Sequence, residues 1–140
     1  MTQTQYTVYL ADDDEDDLEM LATALRNNGG IAEVQCYTTT QDILRQLALL
    51  PTTALPDLIV TDYHMPPSVE GELIHYIRRE QRMDVVALIV YTTLLQEFKK
   101  MTLLEDGVDG VLTKGNTAQE IADHVSVFCG IVANKKLVAY

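Results

Sequence analysis

Asp57-Leu-Ile-Val-Thr-Asp62 is a short, unbroken apolar run with an acid at each end. It shows no alternation of polar and apolar residues. Such a run suits a strand buried on both faces of a parallel sheet. The flanking chain repeats the pattern. Tyr6-Thr-Val-Tyr-Leu-Ala11 is rich in β-branched and aromatic residues and reads as a strand. Residues from about Ala32 to Tyr37, Val85 to Tyr91 and Gly110 to Thr113 complete a set of five.

Helical spacing fills the gaps between these strands. Leu18, Leu21, Ala22 and Leu25 share one face, and Asn28-Gly29-Gly30 stops that helix. Thr39 or Thr40 caps a second helix with Ile43, Leu44, Leu47 and Ala48 on one side. A third carries Leu73, Ile74 and Ile77, and a fourth runs from about Leu95 to Glu105. Thr117 and Glu120 have capping-box spacing and open a last helix with Ile121, Val125, Phe128 and Val132 on one face. Strand and helix thus alternate five times, which implies a parallel sheet with helices on both faces. No internal repeat, linker or second domain is visible, and the expectation is one domain over residues 1–140.

Composition narrows the function classes. The net charge is −11, which disfavours nucleic-acid and anionic-membrane partners. Cys36 and Cys129 form no CxxC pair, and two buried, reduced thiols are expected in a reducing compartment. No signal peptide or run of roughly 20 apolar residues is present, so the expected location is cytoplasmic.

In open parallel sheets, ligands bind at the carboxyl ends of the strands. There the sequence places Asp12 and Asp13, Asp62, Thr92 and Lys114, each at the end of a different strand or beside it. Singly, each has an ordinary explanation as a cap, a turn former or a solvated loop residue. Their joint placement on one edge does not. Three carboxylates packed together need a cation. Mg²⁺, a hard ion that takes oxygen ligands, is the natural candidate, with Asp13 and Asp62 as direct ligands and Asp12 acting through water. A metal, a Lys, a Thr hydroxyl and one nucleophilic carboxylate suit phosphoryl transfer.

With these residues in view, the chain resembles the receiver domain of two-component response regulators, of the chemotaxis-regulator kind, from about Tyr6 to Val132. The matching motifs are Leu10-Ala-Asp-Asp-Asp14, Pro56-Asp57-Leu-Ile-Val60, Asp62-Tyr-His-Met-Pro66, Tyr91-Thr92, Gly107-Val-Asp-Gly110 and Leu112-Thr-Lys114. Thirty positions separate Asp62 from Thr92, and twenty-two separate Thr92 from Lys114, as is usual in that family. The resemblance implies a flavodoxin-like (βα)5 fold with strand order 2-1-3-4-5. It implies that Asp62 accepts a phosphoryl group from a histidine kinase or phosphotransfer protein. Asp12 and Asp13 would serve Mg²⁺, with the backbone carbonyl of His64 as a further ligand. Thr92 and Lys114 would each bond a phosphoryl oxygen. The implied protein is a phosphoacceptor rather than an enzyme. It is expected to act as a monomer or as a phosphorylation-dependent dimer, passing its output to a partner protein with no effector domain of its own.

Several positions depart from the family pattern. Val111 stands where an aromatic switch residue is usual, and Thr93 where Ala or Gly is favoured. Gly115 replaces a proline that follows the Lys through a cis bond. Tyr91, in a strand interior, is read as core. Leu94 cannot orient an attacking water as an acid or amide would, so slow self-dephosphorylation is expected. Rival readings fit less well. The acidic set is too complete for a receiver that has lost phosphorylation. Aspartate-nucleophile phosphatases carry a second Asp where His64 stands. No GxGxxG or GxxxxGK[ST] is present for a nucleotide. A flavin phosphate would need a Ser/Thr-rich first loop, and this one is acidic.

Overall fold

The computed structural model describes residues 4–138. Five parallel strands form one sheet: β1 (Tyr6–Ala11), β2 (Ile31–Tyr37), β3 (Leu58–Thr61), β4 (Ala87–Thr92) and β5 (Gly110–Thr113), in the order β2-β1-β3-β4-β5. The helices between and after them are α1 (Glu15–Arg26), α2 (Thr40–Leu49), α3 (Glu72–Arg79), α4 (Glu97–Glu105) and α5 (Ala118–Val138). This is the expected doubly wound architecture and strand order.

The strands alternate their side chains between two apolar layers, as the pleat requires. Val8, Leu10, Leu58, Val60, Ala87, Ile89 and Tyr91 face α1 and α5, meeting Leu21, Leu25, Val125 and Phe128. Tyr9, Ile59, Leu88 and Val90 face the other way, against Ile43 and Leu47 of α2, Ile74 and Ile77 of α3 and Leu103 of α4. Both faces are covered, so β3 and β4 are buried at every position. That burial is why these strands read as unbroken apolar runs.

Three boundaries and two burial expectations differ. β4 begins at Ala87, not Val85, because a 3-10 turn over Gln81–Met83 ends with the Val86 amide donating to Met83 O (3.0 Å), and Val85 is left 59 % exposed. α4 begins at Glu97 rather than Leu95, and β2 begins at Ile31. Cys36 is exposed, because β2 is the sheet edge and only its first residue is buried, while Cys129 is half-buried. Both thiols are free, but the expectation that they are buried is corrected. Ala48 is likewise exposed on α2.

The register sets the site. Ala11 pairs with Thr61, and the Asp62 amide donates to Ala11 O at 2.9 Å, so Asp12 and Asp62 emerge side by side. Thr92 pairs with Thr113, and the Lys114 amide donates to Thr92 O at 2.8 Å. β1 is flanked by β2 and β3, so the chain's direction of winding reverses at β1 and β3, where a ligand crevice is expected.

Candidate functional site

The acidic run after β1 divides into two jobs. Asp14 is the N-cap of α1 and accepts from the amides of Asp16 and Asp17, each at 3.0 Å. Glu15, Asp16 and Asp17 then sit in the first turn, where negative charge is favoured by the helix dipole. Asp12 and Asp13 remain at the strand end. Asp12 is buried and accepts from the Asp14 amide at 3.0 Å, while Asp13 is exposed.

Lys114 reaches into this group. Its Nζ lies 2.7 Å from Asp12 Oδ2 and 2.9 Å from Asp62 Oδ2, and all three side chains are about one-tenth exposed. It also lies 2.9 Å from Asp17 Oδ2. Sequence reasoning missed Asp17. Nothing marks it within six consecutive acids, except that it lies three residues past the Asp14 cap and so falls in the first turn beside the strand end. On the other side of Asp62, Thr92 Oγ1 donates to Asp62 Oδ1 at 2.7 Å and the His64 amide donates to the same oxygen at 3.2 Å. The His64 imidazole turns away, with Nδ1 3.2 Å from Glu70 Oε1. Asp12, Asp13, Asp62, Thr92 and Lys114 thus converge, as does the backbone of His64.

The electrostatics differ between Asp12 and Asp62. Burial pushes Asp12 up to about 6, against the hydrogen bonds from Lys114 and the Asp14 amide. Burial also pushes Asp62 up, but the hydrogen bonds from Thr92 and Lys114 outweigh it and hold Asp62 below its ordinary value. Asp62 is therefore an anion at neutral pH, with both oxygens engaged by donors. Burial lowers the Lys114 pKa, yet its three carboxylate partners raise it well above the ordinary value. The ammonium is a permanent charge here.

The donor set suits a hard cation. Asp12, Asp13 and Asp62 each offer a carboxylate oxygen, and these oxygens lie within 4.8 Å of one another. An all-oxygen set with one exposed carboxylate leaves room for the waters that Mg²⁺ retains.

The model of the response regulator receiver domain matches residues 8–126. The chain belongs to the response regulator receiver family. An uncharacterized 14.6 kDa protein of Leptolyngbya boryana is 28 % identical over 128 residues, covering 91 % of this chain and 93 % of that protein. Two solved structures share the fold. The receiver domain of Francisella response regulator 1452 has a TM-score of 0.71 at 24 % identity, with 90 % of this chain and 98 % of that one covered. The phosphorylated cyanobacterial phytochrome response regulator RcpA has a TM-score of 0.76 at 20 % identity, covering 89 % and 91 %.

As a receiver, the chain has distinctive features around this site. Thr93 is exposed, and Leu94 is 85 % exposed beside the strand end. Val111 is half-buried against the layer that holds Leu103 and Val108, and no aromatic takes its place. Among the described residues the cis peptide joins Pro66 to Pro67, so Lys114–Gly115 is trans. Tyr91 is core, as expected, but its hydroxyl is also hydrogen-bonded to the loop after Lys114. Among the described residues no helix is long and apolar enough to cross a membrane.

Proposed function

We propose that Asp62 accepts a phosphoryl group from the phosphohistidine of a histidine kinase or phosphotransfer protein. One observation carries this reading. One half-buried carboxylate, Asp62, receives Thr92 Oγ1 at 2.7 Å and Lys114 Nζ at 2.9 Å, within reach of two further acids. Such an arrangement supplies a nucleophile and two donors for the oxygens of the incoming group. An Asp62 oxygen attacks phosphorus, the P–N bond breaks, and its electron pair returns to the donor imidazole. The product is an acyl phosphate. Thr92 and Lys114, which bond the free carboxylate, then bond phosphoryl oxygens instead.

Asp12, Asp13 and Asp62, with the His64 carbonyl, would hold Mg²⁺, which supplies charge neutralisation for the phosphoryl oxygens. Asp13 is the exposed member and completes the cluster from the solvent side. The acyl phosphate is long-lived, because the exposed side chain of Leu94 offers no group to orient water. The signal passes to a partner protein, from a monomer or a phosphorylation-dependent dimer, in the cytoplasm. The net charge of −11 supports a protein partner over nucleic acid or an anionic membrane.

The test is incubation with acetyl phosphate and Mg²⁺, followed by intact mass. One added phosphoryl group is expected, lost in EDTA and lost in Asp62→Asn. Labelling that survives Asp62→Asn would overturn the assignment.

A further inference from the structure

Tyr91 lies one residue before Thr92 and is 5 % exposed. Its ring packs edge-on against Phe128 at 5.3 Å and His124 at 5.4 Å, both on α5. Its hydroxyl has two partners. The Gly115 amide donates to it at 2.9 Å, and it lies 2.7 Å from His124 Nδ1. A phenol has one proton and can also accept. With the Gly115 N–H on a lone pair, its proton is free for His124 Nδ1 in the tautomer that leaves that nitrogen unprotonated. Burial raises the Tyr91 pKa, which keeps that proton in place at neutral pH.

Gly115 is the residue that follows Lys114. The chain there presses on α5: a Cβ added at Gly115 would meet Glu120 Cβ at 3.0 Å and the Ile121 amide nitrogen at 3.1 Å. Glycine brings no restriction of its own to the backbone. The peptide before Lys114 is held by the β4–β5 ladder, through Lys114 N to Thr92 O. The peptide after it is held by the Tyr91 hydroxyl. Lys114 is thus fixed from both sides by neighbouring residues of one strand, Thr92 and Tyr91.

We propose that Tyr91 is a positioning residue for Lys114, and that its bond to His124 carries movement of the loop after Lys114 into α5. The proposal rests on the reading of Asp62 and Lys114 given above. When Lys114 leaves the carboxylates for a phosphoryl oxygen, Gly115 moves with it. The hydrogen bond from the Gly115 amide to Tyr91 then lengthens or drags the hydroxyl. Hydrogen bonds weaken steeply with poor geometry, so a displacement of well under an ångström is felt. The Tyr91 ring is wedged against Phe128 and His124, and it passes that displacement to the helix. This gives the receiver a route from its site to α5 that does not need an aromatic at Val111.

Amide NMR of the full chain tests this, with Mg²⁺ and beryllofluoride as the phosphoryl mimic. In the wild type, binding is expected to shift the amides of Thr92, Gly115 and the α5 turn around His124 together. Tyr91→Phe keeps the ring and removes the hydroxyl. Gly115 amide exchange in the metal-free protein should quicken, and beryllofluoride affinity should fall by about 3- to 10-fold, the worth of one hydrogen bond. The α5 shifts should no longer accompany those at Thr92. His124→Leu keeps the Gly115 bond, so affinity should stay within about twofold while the α5 response is lost. A merely structural Tyr91 would lower the melting temperature and leave affinity and the α5 shifts unchanged. That result, or equal Gly115 exchange in wild type and Tyr91→Phe, would overturn the proposal. Failure of the wild type to bind beryllofluoride would instead overturn the phosphoacceptor reading, and the metal-free exchange comparison would still judge Tyr91.

Discussion

Replacing Lys114 with Met removes the cation from among three carboxylates and leaves the stem. In metal-free protein at about pH 8, Asp12 and Asp62 then face each other as nearly buried anions. Taking away one partner of a buried ion pair costs roughly 3–5 kcal/mol. Asp17 adds little, because its side chain is 39 % exposed and water screens the lost contact. For a domain of this length the melting temperature should fall by about 10–20 °C. The pH dependence follows from Asp12, which burial already raises from 3.8 to about 6. An acid whose pKa rises on folding stabilises the folded state at low pH, and that contribution is lost as pH climbs from 3.8 to 6. Without Lys114 the pKa of Asp12 rises further and the window extends upward. Asp62, now held down partly by Lys114, moves the same way. At about pH 5 one acid takes up a proton, and the deficit shrinks by about 1.4 kcal/mol for each further unit of rise. Excess Mg²⁺ at about pH 8 should shrink it too, because the cluster regains a cation. Thermal melts followed by circular dichroism at both pH values, with EDTA and with Mg²⁺, measure all four cases. An equal drop in every condition would refute the reasoning, because it would mean that the loss comes from packing and not from charge.

Three further outcomes follow. Asp13→Asn should weaken Mg²⁺ binding about tenfold or more, because a charged donor is lost from the cluster. Its melting temperature in EDTA should barely change, because Asp13 is exposed; calorimetric titration and a thermal melt separate the two. Arg78→Ala should cost roughly 3–5 kcal/mol in chemical denaturation with the site chemistry intact. The Arg78 guanidinium donates to Gly107 O, Met83 O, Val86 O and Asp109 Oδ2 at 2.8–3.1 Å, and among the described residues Asp109 would keep only Lys135 as its cation. Leu94→Asn should shorten the acyl phosphate lifetime measured by intact mass over time, and a wild-type half-life of seconds would count against the role given to Leu94.

The parse into strands and helices succeeded because burial leaves a periodic record. β3 and β4 are covered on both faces, so every residue had to be apolar or a buried Thr. The four strand-end groups stood out for the opposite reason, as polar residues where the apolar runs stop. What the sequence hid is tertiary. Asp17 is one acid among six, and only the approach of Lys114 distinguishes it. Tyr91 looked like core because it is core, and its hydroxyl gains meaning only when α5 brings His124 to it. The exposure of Cys36 could not be read from an apolar neighbourhood, because it depends on β2 being the edge strand.

Charge explains why this site needs its parts in a certain order. Asp12, Asp17 and Asp62 surround one ammonium and Asp13 lies beside them, so with all four ionised the group carries three negative charges in excess. A phosphodonor is itself an anion, and a field of that sign at close range slows its approach. The three bonds from Lys114 hold these carboxylates together, but they also engage the ammonium that the proposed chemistry would turn to a phosphoryl oxygen. A divalent cation at Asp12, Asp13 and Asp62 would bring the excess from three to one. It would also give Asp12 and Asp62 a partner other than Lys114. On this reading a bound divalent cation would do more than help at the reacting phosphorus. It would free Lys114 from its contacts with three carboxylates. It would thereby release the residue whose movement, on the proposal above, passes through the bonds of Gly115 to Tyr91 and Tyr91 to His124 into α5.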